Sequence, residues 1–272
     1  MLRYGWNSEI KSATKIYTGS RDEIPPQPHI RCLGVYLSED CTFQHHIATT
    51  ANKARAMTEW ILRTFATRDP DTMLTLWRAL VQPILDYCSQ LWSPHKKEVQ
   101  QLEKVQRSFT RHIRGMGGLT YWERLQVLGL YSQQRRRDRY RTIYTWKILE
   151  QQVPNPTLDA LKPYTNIRTG RKCVRRSLPS TAPERVKTLL AASLAYQGSQ
   201  IFNTLPKEVR EVTICGVEKF KTALDKFLKT VPDEPPVPGY TARGRTSNSL
   251  PDQVSLSMRD ARDGSSSGPP RL

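Results

Sequence analysis

The hydrophobic positions between residues 69 and 114 recur every three or four residues and predict two consecutive helices. The first helix begins with Asp69 as its N-cap and Pro70 in the first helical position, where the missing N–H of proline costs nothing. Pro83 falls inside this helix and meets the carbonyl of Ala79, so we expect a kink or break there. The buried stripe is predicted to contain Leu74, Trp77, Val81 and Ile84.

The second of these helices has a clear division between an apolar and a basic side. Ser93 is predicted to cap it ahead of Pro94, and Gly115 is predicted to stop it. The apolar stripe consists of Val99, Leu102, Val105, Phe109 and Ile113. The remaining surface is covered by Lys96, Lys97, Lys104, Arg107, Arg111 and Arg114.

Helical periodicity extends over most of the chain, so the sequence predicts a mainly α-helical protein. Residues 42–66 follow a helical period, and Thr120 with Glu123 forms a capping-box pattern. Ser132 is predicted to cap the next helix. Residues 183–229 regain helical spacing, with an apolar stripe of Val217, Phe220, Leu224, Phe227 and Leu228.

The two ends of the chain follow other patterns. Residues 15–19 and 30–37 are typical of two short strands, which form a small β element. From Val231 onward, proline and serine are frequent, and we expect a disordered tail. The predicted organisation is a β element over 1–41, a helical domain over 42–151, a C-terminal helical segment with a basic loop over 152–230, and a disordered tail over 231–272.

The charge of the chain changes the functional picture more than its hydropathy does. Lysine and arginine number 42 against 25 aspartate and glutamate residues, a formal net charge of +17. Such an excess favours a polyanionic partner, because neutralising phosphates releases counterions. No apolar run reaches the ~20 residues that a membrane span requires, and the five cysteines show no C-x2-C pair. We therefore expect an intracellular protein with free thiols and no membrane contact.

Arginine is most concentrated in the helix that Ser132 begins. Arg135 and Arg139 share a side with Trp146, a combination suited to phosphate contact and base stacking, although the same pattern also fits a solvated basic face. A second basic run, Arg168, Arg171, Lys172, Arg175 and Arg176, fits either a phosphate-binding arm or an ordinary exposed loop. The predicted nucleic-acid-binding residues are Arg135, Arg136, Arg139, Lys104, Arg107 and Arg111.

Several segments resemble the reverse transcriptases of animal non-LTR (LINE-type) retrotransposons, in the region just after the polymerase core. The resemblance is carried by residues 76–94 (LWRALVQPILDYCSQLWSP), 102–111 (LEKVQRSFTR) and 121–132 (YWERLQVLGLYS). It continues in residues 199–206 (SQIFNTLP), which are similar to the extreme C-terminal segment of those proteins. Phe202 stands there at a position where the family commonly has tryptophan.

The resemblance implies a function in holding nucleic acid. It implies a truncated palm over 1–41, a thumb-like helical bundle, and RNA or an RNA–DNA template–primer as partner, with other parts of the parent polymerase as further partners. Leu33 and Gly34 are similar to the primer-grip segment, and a glycine within a strand fits either close approach to a ligand or a bulge. A nuclear location follows from the same resemblance.

The chain does not contain the chemistry that the resemblance would lead one to expect of a polymerase. Polymerases use two divalent metals held by positioned carboxylates, and this sequence has no Asp-Asp pair. We therefore expect no catalytic residue, no metal site and no cofactor in this chain; magnesium is expected only in a full-length polymerase. The alternative is a decayed or co-opted helical module that binds proteins and not nucleic acid.

Overall fold

The structure is a computed structural model, and it describes Leu2 and residues 15–92, 96–154, 161, 163–167, 170, 172–174, 181, 183–235 and 248–264. The chain is mainly helical with small antiparallel β elements, as the sequence predicts. It divides into two compact units. Unit 1 comprises Met1–Cys88 and Trp92–Gly117, and unit 2 comprises Ser89–Leu91 and Gly118–Leu272.

Unit 1 is a β-hairpin followed by helices that share one core. Its elements are β1 (His29–Cys32), β2 (Val35–Ser38), α1 (Gln44–Thr64), α2 (Pro70–Leu76), a π-helical turn (Trp77–Val81), α3 (Gln82–Asp86) and α4 (Lys96–Arg111). Helix α1 packs against β2, the π-helical turn, α3 and α4. The buried residues that these elements contribute include Ile47, Ile61, Met73, Trp77, Leu85, Leu102 and Phe109.

The predicted start and break of the first helix are confirmed. The Asp69 carboxylate accepts a hydrogen bond from the Thr72 N–H at 3.2 Å, and Pro70 occupies the first turn. The break ahead of Pro83 takes the form of the π-helical turn, since proline has no N–H to offer the preceding turn. Helix α4 begins at Lys96, and the predicted cap at Ser93 lies outside the described residues.

The N-terminal β element is a tight hairpin, and this corrects the prediction of a single strand over 30–37. Strands β1 and β2 pair antiparallel with His29 opposite Ser38. Leu33 and Gly34 form the two-residue turn with φ values of 46° and 86°, the positive angles that such a turn requires. A Cβ on Gly34 would lie 3.1 Å from a ring atom of Tyr87, so the close approach at this glycine is made by the chain itself.

Unit 2 is a helical body with one further short hairpin. Its elements are α5 (Tyr121–Val127), α6 (Gln133–Leu149), β3 (Pro163–Thr165), β4 (Lys172–Val174), α7 (Glu184–Ala192), α8 (Leu194–Thr204), α9 (Lys207–Arg210), α10 (Val217–Leu228) and α11 (Leu250–Gly264). Helix α6 packs against α8 and α10, and α8 also contacts α7, α11 and β4. The core contains Ile143, Trp146, Ile201, Phe202, Leu205, Phe220, Leu224, Leu228, Leu250 and Val254.

Both predicted caps in unit 2 are confirmed. The Thr120 hydroxyl accepts from the Glu123 N–H, and the Glu123 carboxylate accepts from the Thr120 N–H at 2.7 Å. The Ser132 hydroxyl accepts from the Arg135 N–H at 3.0 Å. These reciprocal bonds satisfy N–H groups that the first turn of a helix leaves without partners.

The segment predicted to be a disordered tail contains helix α11, and the prediction is wrong for this part. Leu250 and Val254 lie one turn apart and are buried in the core of unit 2. The Leu250 N–H donates to the Asp138 carboxylate at 2.8 Å, and the Gln253 amide donates to the Glu234 carbonyl at 2.9 Å. The prediction missed Leu250 and Val254 because it rested on the average composition of the tail, which is rich in proline and serine. Residues 236–247 and 265–272 lie outside the described residues.

The division into units also differs from the predicted domain boundary near residue 151. Trp146 of α6 stacks on Phe220 of α10, with ring centroids 4.7 Å apart and planes at 10°. Helix α6 therefore belongs to the core of the C-terminal unit, and the boundary falls at Gly117 and Gly118.

Candidate nucleic-acid interface

Helix α4 is oriented by its apolar side. Leu102, Val105 and Phe109 are at most 2% exposed, and the Phe109 ring lies 5.1 Å from the ring of Trp77. The two acidic residues of the helix, Glu98 and Glu103, are also buried. The packing thus removes the acidic side chains of α4 from its solvent-facing side.

The solvent-facing side of α4 carries three exposed cations. Lys104, Arg107 and Arg111 are exposed, and we call these three residues the basic face. A rotation of about 100° per residue places them within an arc of about 60°, and a rise of about 1.5 Å per residue spreads them over roughly 10 Å. Arg114 is also exposed just beyond the helix, where its N–H donates to the Arg68 carbonyl at 2.8 Å. Lys96 and Lys97 lie in the first turn, and their side chains are outside the described part of the chain.

The arginine cluster of α6 is arranged differently, and Arg135 corrects the prediction of a phosphate-binding residue. Its side chain is fully buried. The guanidinium donates to the carbonyls of Leu228, Val231 and Pro232 at 3.3, 3.1 and 2.6 Å. Leu228 is the last residue of α10, and Val231 and Pro232 belong to the segment that follows this helix. Arg135 therefore caps a neighbouring helix from inside the core and is not available to a ligand.

An acidic side chain completes this arrangement. Asp233 lies 3.8 Å from the Arg135 Nε and accepts hydrogen bonds from the Ser132 N–H and hydroxyl, both at 2.7 Å. A buried cation needs such partners, because removing it from water without them is costly. The Asn248 amide donates to the Ser132 hydroxyl at 3.0 Å, so the segment just before α11 is hydrogen-bonded to the N-cap of α6.

Arg139 is also engaged within the unit. Its Nε and one terminal nitrogen donate to the two carboxylate oxygens of Asp225 at 2.6 and 2.7 Å. The hydrogen bonds that Arg139 donates to Asp225 raise the pKa of Arg139 above its ordinary value, with burial opposing the change. A bidentate pair of this kind fits a planar guanidinium, which leaves less of it for phosphate.

Arg136 is half-buried against a tyrosine. It donates to the Tyr140 hydroxyl at 3.2 Å and lies 5.6 Å from the centre of that ring, within the range of a cation–π contact. Of the three predicted arginines on α6, Arg136 retains part of its surface, Arg139 is held by Asp225 and Arg135 is enclosed.

A buried ion pair continues the cluster toward α11. Asp138 lies 3.5 Å from Arg141, and the Asp138 carboxylate caps the first turn of α11 at Leu250. Burial raises the pKa of Asp138, with the charge of Arg141 opposing that shift, and burial lowers the pKa of Arg141. The basic run of α6 is therefore mainly part of the core of unit 2.

Trp146, predicted to offer a stacking surface beside these arginines, is instead a core residue. It is 1% exposed, stacks on Phe220, and donates from its indole N–H to the Val212 carbonyl at 2.7 Å. Trp77 and Trp92 are also buried, as their positions in the sequence predict.

The primer-grip-like residues lie at the tip of the β1–β2 hairpin. Leu33 is 89% exposed, and its carbonyl accepts a hydrogen bond from the Tyr87 hydroxyl at 2.8 Å. Gly34 packs on the Tyr87 ring. The structure brings Leu33 and Gly34 together with Tyr87, which places an apolar side chain in solvent at the hairpin tip.

Sequence reasoning missed one exposed aromatic residue, Trp60 of α1. The indole is 45% exposed, and Lys53 and Arg63 on the same helix are exposed as well. The helical period already indicates that Trp60 is exposed. Thr58 and Ile61 lie on the buried side of α1, and Trp60 is rotated by about 100° around the helix axis from Ile61, away from that side.

Other features of the described residues place limits on the site. Among these residues, no group of three or more His, Cys, Asp or Glu side chains is arranged to hold a metal ion. No helix in the described ranges is long and apolar enough to cross a bilayer. Of the second basic run, Arg168, Arg171, Arg175 and Arg176 lie outside the described residues.

Comparison of the chain with protein-family models, with curated proteins and with solved structures gives no match. The resemblance to LINE-type reverse transcriptases therefore rests on the sequence segments that carry it.

Proposed function

We propose that the chain binds nucleic acid through the basic face of α4, as the template–primer-holding part of a LINE-type reverse transcriptase. The observation that supports this most directly is the exposure of Lys104, Arg107 and Arg111 within one arc, with the acidic residues of the helix turned inward. The segment of resemblance at 102–111 coincides with this face.

The dimensions of the basic face fit a nucleic-acid backbone. Duplex DNA carries one phosphate charge per ~1.7 Å of axis, so a row of cations roughly 10 Å long meets several phosphates at once. The helix is anchored by its buried stripe, which holds the cations in place before a ligand arrives. Contacts of this kind position a duplex or hybrid without reading its sequence.

The proposal does not include polymerisation by this chain alone. The adjacent aspartates that would hold the two metal ions are missing from the sequence, so Mg²⁺ belongs to the proposal only through a full-length polymerase. Other parts of that polymerase are then the protein partners, and a nuclear location follows from the same proposal.

Fluorescence anisotropy with a labelled RNA–DNA primer–template tests the proposal. We expect binding that weakens steeply with salt, and a variant with Lys104, Arg107 and Arg111 all changed to Ala should lower the slope of log K against log salt. Each phosphate contact contributes about 0.9 to that slope on a B-form duplex, so the loss should be roughly two to three.

The matched control removes three exposed lysines from unit 2, Lys219, Lys226 and Lys229, and therefore the same formal charge. It should leave most of the slope unchanged. Equal losses in both variants would mean that net charge, and not the basic face, provides the binding. No binding by the unchanged protein at low salt would refute the proposal.

One observation favours a second candidate, a protein-binding module. Leu33 and Tyr87 expose apolar surface at the hairpin tip, and the Tyr87 hydroxyl holds the turn in place. Surface of this kind is typical of protein contacts. Binding of a protein partner that is insensitive to salt and is lost in Leu33→Ser would favour this candidate, whereas Lys104→Ala would leave it unchanged.

A further inference from the structure

Trp60 differs from the other tryptophans that the structure describes. Trp77, Trp92 and Trp146 are 0%, 0% and 1% exposed and lie within the two cores, and Trp122 is half-buried. Trp60 keeps 45% of its surface in solvent on a helix whose opposite side is buried. The exposed part of this large apolar ring does not pack in the core and so does not contribute to the stability of the fold.

The surroundings of Trp60 on α1 are basic and open. Lys53 lies seven residues before it and Arg63 three residues after it, so both fall within about 60° of the indole around the helix axis. Ala56, one turn before Trp60, is exposed and small, which leaves the approach to the ring clear. The acidic neighbour Glu59 lies about 100° away around the helix.

The indole is also oriented by the end of its helix. The rings of Trp60 and Phe65 have centroids 6.0 Å apart and planes at 81°, an edge-to-face contact. Phe65 follows the last turn of α1, and its N–H donates to the Ile61 carbonyl at 3.0 Å. The position of Phe65 is thus set by the helix, and its contact limits the rotation of the indole.

We infer that Trp60, flanked by Lys53 and Arg63, is a stacking platform for an unpaired base of a single-stranded nucleic acid. The inference rests on the proposed function and adds to it a site on α1 and a preference for single strands. Every base has a flat face that stacks on an indole, whereas the bases of a duplex are stacked on one another. The two cations are positioned for the phosphates on either side of the base. The two flanking cations favour a polyanionic strand over a protein partner, because phosphates neutralise both charges.

The experiment compares two labelled strands of equal length and charge, an oligothymidylate and an abasic deoxyribose-phosphate strand. Phosphate attraction acts on both, and stacking acts only on the strand with bases. We expect the unchanged protein to bind the oligothymidylate at least about fivefold more tightly, from the usual strength of base–aromatic stacking. Trp60→Leu, which keeps apolar bulk without an aromatic face, should remove that preference, and Trp60→Phe should retain part of it.

Trp122→Leu is the matched control, since it removes a half-buried tryptophan of unit 2 and should keep the preference for bases. Thermal unfolding of each variant, followed by circular dichroism, verifies that the fold is intact. Equal affinity for the two strands, or a preference that survives Trp60→Leu, would overturn the inference while leaving the proposed function standing. Failure to bind either strand at low salt would overturn the inference, whereas the proposed function is decided by the separate measurement with the RNA–DNA primer–template.

Discussion

Two basic helices in this protein use their cations in opposite ways. On α4, Lys104, Arg107 and Arg111 face solvent. On α6, which has the denser run of arginines, Arg135 is enclosed and Arg139 is paired with a carboxylate. The density of arginine along a sequence is therefore a poor guide to which arginines can reach a phosphate.

The difference lies in where the oxygen acceptors come from. A guanidinium has five N–H donors, and phosphates, carboxylates and carbonyls all satisfy them. For Arg135 the acceptors are supplied by the chain at the end of α10, and for Arg139 by Asp225. For Lys104 and Arg111 of the basic face, we propose that a nucleic acid supplies them.

The largest effect that separates the two helices should come from Arg135→Ala. Removing one partner of a buried ionic group is expected to destabilise the protein by about 3–5 kcal/mol, because Asp233 and the carbonyls after α10 lose their donor. Urea unfolding followed by circular dichroism measures the change. Arg111→Ala removes the same side chain from an exposed site and should change stability by at most about 0.5 kcal/mol. Similar losses in the two variants would contradict the comparison.

A smaller loss is expected from Arg139→Ala. Hydrogen bonds to a charged partner are worth about 1.5–3 kcal/mol, and the bidentate contact with Asp225 is lost in this variant. A double-mutant cycle with Asp225→Ala isolates the interaction from other effects of each change. Arg139→Ala should also leave the salt dependence of nucleic-acid binding unchanged. If Arg139→Ala lowered the slope of log K against log salt as much as Arg111→Ala does, Arg139 would belong to the nucleic-acid interface.

The smallest effect on stability should come from Glu123, an exposed carboxylate that caps the first turn of α5. Hydrogen bonds from Thr120 hold the pKa of Glu123 below its ordinary range. The ionised carboxylate therefore stabilises the folded state at pH values above the unfolded pKa of about 4.3, and this contribution is lost as the pH falls through the lower folded pKa. The melting temperature of Glu123→Gln should be below that of the unchanged protein at neutral pH and should approach it in acid. A difference that does not vary with pH would exclude this role.

The sequence predicted those features that depend on neighbours within one or two helical turns. The caps at Asp69, Thr120 and Ser132 and the break ahead of Pro83 are all local, and the structure contains them. The orientation of α4 was also predictable, because its apolar stripe is continuous and leaves one side for the cations.

The sequence alone could not predict the role of α6. Its buried side includes Thr142 and Thr145 beside Ile143 and Trp146, so polar and apolar positions do not separate into two sides. Arg135 is about a hundred residues from the carbonyls that it caps, and no local pattern indicates such a partner. The same holds for α11, whose two buried apolar residues, Leu250 and Val254, gain their significance only from the core that they complete.

By itself, the sequence determined the helical class, the helix ends and the basic side of α4, since these follow from the period of the helix and from the bonding needs of its first turn. Only the tertiary structure decided which cations remain available to a partner. That choice depends on acceptors brought together from distant parts of the chain, and burying a charge is tolerated only where they surround it.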